Sequence, residues 1–307
     1  MKTRKTLFTI IAVLGIVSTF ALTSCESDDE MESPKNIVEV AVANPDFSTL
    51  VAALQKAELV TALEADGQFT VFAPTNAAFN QLFTDLGVDG IDDLTKEQLT
   101  PILLYHVVGA KVKSTDLTNG YVTTLSTGPG NKNVSLKVDA TNLELNGGVG
   151  ITSADINATN GVIHIVDKVL LPPTVVDIAL NNDNFSILVS ALVKAELVET
   201  LKGDGPFTVF APTNDAFNAL FEALDVTGIA DLSKEALTPI LLDHVVSGNV
   251  RSTDLTTGSV NTLNNSININ VSSGVKINSN INVVLADVQG TNGVVHVIDK
   301  VIVTPTK

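Results

Sequence analysis

The chain has 307 residues, 45% apolar and 17% charged, a composition that fits one large domain or two ordinary ones and excludes a disordered chain. Lys and Arg number 18 against 34 Asp and Glu, and the formal net charge of −16 excludes non-specific binding to phosphate backbones. A single Cys rules out an intrachain disulfide framework and a zinc site built on several thiolates, and the lack of Trp removes a Trp platform for stacking sugars or bases.

Residues 1–24 read as a secretory signal peptide. Lys2, Arg4 and Lys5 form a positive start, and an apolar run follows from Leu7 to about Leu22. The alternative is a retained membrane anchor, but Thr9, Gly15, Ser18 and Thr19 interrupt the run. The run ends in Leu22-Thr23-Ser24-Cys25, which resembles the bacterial lipoprotein cleavage box. That resemblance implies cleavage before Cys25 and acyl chains, palmitate among them, on its thiol; the plain alternative is a chance Cys near an ordinary cleavage site. Two or more such chains anchor a protein stably. Residues 25–34 then form a lipidated acidic linker. Glu26-Ser27-Asp28-Asp29-Glu30 reads either as a solvated spacer or as a resemblance to the surface-export signal of some outer-membrane lipoproteins. The expected place is the cell envelope, in the outer membrane, with the membrane itself as the partner of Cys25. Loss of Lys2, Arg4 and Lys5 on cleavage takes the net charge from −16 to −19.

Beyond the linker the chain repeats itself. Phe69-TVFAPTNAAFNQL-Phe83 recurs as Phe207-TVFAPTNDAFNAL-Phe221, 138 positions later and identical at 13 of 15 positions. Leu50–Val60 recurs as Leu188–Val198 at the same offset, whereas Thr159–Leu170 recurs as Thr291–Ile302 at an offset of 132. Six residues are therefore missing from the second copy, and the Gly/Pro-rich stretch at 128–132 is the expected place. A period this long marks whole domains, 35–172 and 173–304, joined at Pro172-Pro173. Two prolines favour a short extended connector.

Within each copy the pattern turns from helical to extended. Phe47, Leu50, Val51, Leu54 and Ala57 follow helical spacing, as do their equivalents from Phe185 to Ala195. Phe69-Thr-Val-Phe72 predicts a strand, and Thr75 with Asn76 caps the helix after it. Thr95 and Gln98 form a capping box; in copy two Ala236 replaces the Gln and only the Ser233 cap survives. Pro101 and Pro239 each follow a Thr and suggest fresh helix starts. After His106 the chain is rich in Val, Thr, Asn and Gly, with alternation that predicts strands. Gly161–Val166 is nearly all apolar, which predicts a strand buried on both faces. Helices first and strands later give an α+β class.

These blocks resemble the fasciclin-type domain. Its first motif is similar to Thr70-Val-Phe-Ala-Pro-Thr-Asn-x-Ala-Phe79, its central motif to Tyr105-His106-Val107-Val108, and its last to Asn160–Pro172. All three occur in order, and they recur in copy two. The resemblance implies two tandem fasciclin-type domains, each a β-sandwich-like wedge of about seven strands flanked by helices. It also implies an extracellular role in cell adhesion and matrix contact rather than catalysis, with a cell-surface or matrix protein or glycan as partner. Carried over residue by residue, the adhesive positions are Tyr105 and His106, then the Asp-Ile pair before the last motif, Asp155-Ile156, with Asp287-Val288 in copy two. Copy two departs at the central motif, where Asp243 stands for Tyr105. The plain alternative for the Asp-Ile pair is a strand pair with Ile or Val inside and Asp in solvent.

The sequence offers little catalytic chemistry. All four His fall at repeat-equivalent positions, His106 with His244 and His164 with His296, among apolar residues and without ligand spacing to His, Cys or Glu. Core histidines bonded to backbone explain them. No nucleophile elbow, P-loop or dinucleotide fingerprint occurs, so no catalytic residue, metal or cofactor is expected. The expected function is a non-catalytic adhesion or binding module. Two alternatives stay open: an envelope structural or accessory lipoprotein with no adhesive partner, and a small-molecule binder or enzyme with apolar pockets near the helices.

Overall fold

The structure is a computed structural model, and it describes residues 34–304. Residues 34 onward form one compact unit in which both copies pack together. Copy one, called domain 1, begins with three short helices, α1 (Ile37–Ala43), α2 (Ser48–Lys56) and α3 (Val60–Glu64). Strand β1 (Phe69–Pro74) follows, then α4 (Asn76–Leu86), α5 (Lys96–Tyr105) and β2 (Val107–Val108). The extended half supplies β3 (Gly120–Gly128), β4 (Lys132–Asp139), β5 (Glu144–Leu145), β6 (Val149–Ala158) and β7 (Gly161–Val166).

Local chemistry sets these limits. Asn36 and Glu39 close a capping box on α1. Thr75 caps α4, and Gly87 ends it at φ 67°, a left-handed turn that favours glycine. The Thr95–Gln98 box starts α5 at Lys96, so Pro101 lies inside the helix and does not begin a new one; Pro239 sits likewise inside its counterpart. The reason is that the Thr95 and Ser233 N-caps fix the starts five residues earlier, and the proline at the sixth helical position costs one intrahelical bond that the rest of the helix outweighs.

The strands form one seven-stranded order, β2-β1-β7-β6-β5-β4-β3. β1 runs parallel to β7, and every other neighbour is antiparallel. Alternation along β1 divides the core in two. Val71 and Ala73 face the helices, with Phe47, Phe79 and Leu103. Phe72 faces the other way, where the β3–β5 half curls over it with Leu136, Leu145 and Tyr105. This is the helix-flanked wedge.

Domain 2 repeats the plan with α6 (Val175–Leu180), α7 (Ser186–Lys194), α8 (Val198–Lys202), β8 (Phe207–Pro212), α9 (Asn214–Leu224) and α10 (Lys234–Leu242). Strands β9 (Val245–Ser247), β10 (Gly258–Asn261), β11 (Ser266–Asn270), β12 (Lys276–Ile277), β13 (Ile281–Gln289) and β14 (Gly293–Ile298) complete it. The missing residues lie in the first hairpin. Thr123 pairs with Ser135 in domain 1, and Asn261 with Ser266 in domain 2, so the eleven residues 124–134 correspond to the four of the short turn 262–265. One of the seven is regained between β11 and β12, where Ile269 pairs with Ile277 eight positions on against seven from Val138 to Leu145, which leaves the net six.

That longer hairpin fastens the domains together. Ser135 Oγ accepts from the backbone N–H of Gln289 at 3.0 Å, and Asn249 Nδ2 donates to the Pro129 carbonyl at 3.2 Å. A Cβ on Gly128 would stand 2.3 Å from the Gly290 carbonyl, so only glycine permits the approach. Lys137 Nζ donates to Asn181 O at 2.9 Å, and Tyr121 packs against the helical core of domain 2.

Candidate functional site

The central motif is part of the core. Tyr105 ends α5 with 0% of its surface exposed, and its hydroxyl donates to Ser135 O at 2.9 Å and accepts from Asn146 Nδ2 at 3.0 Å. Burial pushes its pKa up. His106 follows as the helix cap. Its Nδ1–H donates to Ile102 O at 2.8 Å and its Nε2 accepts from Leu170 N–H at 2.8 Å, which ties α5 to the segment after β7. His244 does the same between Ile240 and Ile302. These bonds require the neutral ring, and burial lowers both pKa values to about 4. Neither Tyr105 nor His106 presents a surface to a partner.

Copy two's departure has a local consequence. Asp243 is buried where the tyrosine would be, and its carboxylate accepts from Thr262 Oγ1 at 3.3 Å, Asn264 Nδ2 at 3.0 Å and Thr304 Oγ1. The short turn 262–265 supplies two of those donors. A surface cleft of about 590 Å³ opens beside it, lined by Glu235, Pro239, Asn265 and Val303 among others.

The Asp-Ile pair lies on an irregular stretch of β6. The β6–β7 register shifts between Ser153 and Ile156, and Asp155 adopts φ 64° there. Ile156 packs against the helical core. Asp155 is half-buried and not simply solvated: it accepts from the Ser114 N–H at 2.8 Å and from the Ser114 hydroxyl. These hydrogen bonds lower its pKa. Copy two matches, with Asp287 at φ 66°, Ser252 as the double donor and Val288 buried. There Arg251 adds a guanidinium 3.6 Å from the carboxylate. The carboxylates thus pin the loop after β2 or β9 to the bulge.

This arrangement gathers Ser114, Asp155 and His164 in one place, but it is not a catalytic triad. His164 Nδ1 accepts from the Asp155 N–H at 3.2 Å, and Nε2–H donates to Val112 O at 2.9 Å. Both ring nitrogens are engaged with backbone, and the serine bonds the carboxylate directly. A serine nucleophile needs the imidazole as its base, and here the imidazole does not face it. His296 repeats the pattern with Asp287 and Val250. Among the described residues no group of three His, Cys, Asp or Glu side chains is placed to hold a metal ion. Apolar cavities do lie near the helices, one beside His106 and one beside His244. Each has a volume of only about 20 Å³, room for one water and far below a ligand pocket. Cys25 and its linker to Ser33 lie outside the described residues.

Two positions carry more of the architecture than the sequence reading assigned to them. Asn160 is buried and accepts from Ile37 N–H at 2.9 Å while donating to Leu63 O at 2.7 Å, which locks α1 and α3 onto the start of β7. Asn292 repeats this in domain 2. The identity of Thr-Asn-Gly in both copies was the available signal. Gln289 is the other: its buried amide donates to Asn249 Oδ1 and to two backbone carbonyls at the junction of the domains.

Comparison with known proteins follows the repeat. A family model described as the fasciclin domain matches residues 45–172 and again 183–304. Protein sll1483 of Synechocystis sp. is 43% identical over 142 residues, which span 46% of this chain and 76% of that protein. Periostin of Homo sapiens is 30% identical over 251 residues, 78% of this chain but only 29% of periostin. Among solved structures, a FAS1 domain pair from the insect cell adhesion molecule Fasciclin I is 20% identical, with a TM-score of 0.50 over 85% of this chain and 98% of that one. That last likeness shows the fold of the pair.

Proposed function

The chain belongs to the fasciclin-domain family, and from that premise we propose that it is a bacterial cell-envelope lipoprotein whose two domains form a non-catalytic adhesion or binding module. The observation that carries the reading is the commitment of the motif groups. Tyr105, both histidines of each domain and the Asp155 and Asp287 carboxylates all bond within the fold. What remains for function is the outer surface of the joined pair. The insect relative in structure is itself a cell adhesion molecule, which supports the same direction. Asp155 and Asp287 then act by setting the shape of the loops they pin, while Ile156 and Val288 anchor those loops from inside. The acyl chains on Cys25 hold the body at the outer membrane, and the acidic residues that follow keep it off an anionic surface.

One experiment with two arms tests this. Beads coated with residues 31–307 are offered to bacteria, host cells, matrix proteins and envelope glycans. Saturable attachment to one class, blocked by free protein, is expected. In the second arm, Cys25→Ser in the full chain abolishes acyl labelling and releases the protein from the membrane fraction. Attachment to no member of the panel removes the adhesive reading for those partners and leaves the accessory role. Membrane retention without acyl label removes the lipoprotein reading.

A further inference from the structure

Two differences between the domains meet at one place in domain 2. In domain 1, Tyr105 is buried with its hydroxyl on Ser135 O and Asn146, and β3 runs on to Gly128 and lies against α5. In domain 2, Asp243 stands for the tyrosine, and β10 ends at Asn261 before the short turn 262–265. The tyrosine's partners are nevertheless kept. Ser266 takes the register place of Ser135, and Asn278 accepts from the Asn268 N–H at 2.9 Å as Asn146 does from the Lys137 N–H at 3.1 Å. The frame around this position is therefore common to both domains. The cleft of about 590 Å³ opens where the side chain and the turn differ.

The cleft has the size and the mixed lining of a small-molecule site. Pro239, Ile240 and Val303 give it an apolar wall, with Val303 54% exposed, and Glu235 adds an exposed carboxylate. Asp243 lines it as well but is 2% exposed, and an aspartate that deep is rare without a paired charge. None of the ion pairs among the described residues includes Asp243. The adjacent His244 ring is neutral, with both nitrogens on backbone. Only uncharged donors reach the carboxylate. Oδ1 accepts from Thr262 and Asn264, and Oδ2 from Thr304 alone, so Oδ2 keeps an acceptor position. Two carboxylates beside an apolar wall select a ligand with a cationic head and an aliphatic stem. An anion meets repulsion there, and a neutral alcohol leaves the buried charge uncompensated.

We propose that the domain 2 cleft binds a primary alkylammonium ion, with Asp243 as its counter-charge and Pro239, Ile240 and Val303 against its stem. The ammonium belongs either to a free amine or to a lysine side chain, and the test separates the two. n-Hexylamine, protonated near neutral pH, is titrated into isotope-labelled residues 34–307 and followed by NMR. Hexanol and hexanoate are the charge controls, and N-acetyl-lysine methylamide is the lysine arm. Saturable shifts of the Ile240, Asn264, Asn265 and Val303 amides are expected with the amines and not with hexanoate. Affinity falls about tenfold or more in Asp243→Asn, which keeps the shape and removes the charge. Asp243→Tyr abolishes binding, a change the frame accepts because Ser266 and Asn278 stand where Tyr105's partners do. Glu235→Gln, an exposed change, lowers affinity severalfold and keeps the test open should Asp243→Asn unfold. Tighter binding of hexylamine assigns the site to free amines, and tighter binding of the lysine amide assigns it to lysine side chains. No shift with either amine, hexanol binding as tightly as hexylamine, or equal binding by the charge-removing variants overturns the proposal. The site adds a ligand to the outer surface of the pair and does not depend on bead attachment, so either reading can fail alone.

Discussion

His106 and His244 each donate from one ring nitrogen and accept at the other, and both partners are backbone groups. A ring used in this way is a staple between a helix end and the segment after the last strand of its domain, and its chemistry is closed to substrates. The same economy holds for Tyr105 and Asp155, whose polar atoms serve the chain's own loops. One group is left out. Ser126 lies wholly buried in the long hairpin, and its hydroxyl is the single buried side-chain oxygen or nitrogen without a partner among the described residues. A buried, unbonded hydroxyl costs about 1–3 kcal/mol. Ser126→Ala removes it with almost no loss of volume. The variant is expected to gain about 1 kcal/mol in urea unfolding; a loss of stability would mean that the hydroxyl has a partner.

At the scale of elements, the long β3–β4 hairpin decides more than any helix. Its far part, residues 124–134, has no counterpart in domain 2, and it brings Gly128, Pro129 and the strand before Ser135 against domain 2. Replacing 124–134 by the 262–265 sequence removes Val134 from the strand-side core of domain 1 and Leu125 from its helical side, but leaves the rest of both clusters and the whole core of domain 2 in place. The expected outcome is a pair with loosened orientation: a larger radius of gyration in solution scattering and separate thermal transitions for the two domains. An unchanged radius and a single transition would show that Tyr121 and Lys137 suffice to hold the junction. Interfaces of this kind otherwise permit motion between domains, and the hairpin supplies contacts that oppose it here.

At the scale of the whole molecule, duplication makes the response to pH shared. His106 and His244 have folded pKa values of about 4 against an ordinary 6.5, and burial lowers His296 as well. The folded values lie below the unfolded one, so the unfolded chain binds protons first as pH falls. Stability is therefore complete above about pH 6.5 and declines through the window down to about 4. Each of the two fully buried rings contributes on the order of 3 kcal/mol to that decline. Carboxylates such as Asp287, whose hydrogen bonds lower their pKa, withdraw further stability below that window. Urea midpoints measured from pH 7.5 to 4.5 are expected to fall steadily, in both domains; a flat profile would contradict the neutral-ring assignment.

The repeat, the α+β class, the capped helices and the buried strand at Gly161–Val166 were legible because each rests on periodicity or on bonds between near neighbours in the chain. The histidines were legible as core groups because apolar residues surround them in sequence. Pro101 does not start a helix because Thr95 and Gln98 set the start five residues earlier, and the helix continues through it with one intrahelical bond missing. Other features depend on groups brought together over long separations. Asp155 meets Ser114 across 41 positions, Asn160 meets Ile37 across 123, and Gln289 meets Ser135 across 154. The sequence by itself determined two similar wedges, their charge and their motif residues, since local patterning and composition encode those. Only the tertiary structure decided that the motif residues are internal staples and that the extra hairpin joins the domains. Those outcomes depend on which surfaces meet in space, and no spacing along the chain records that.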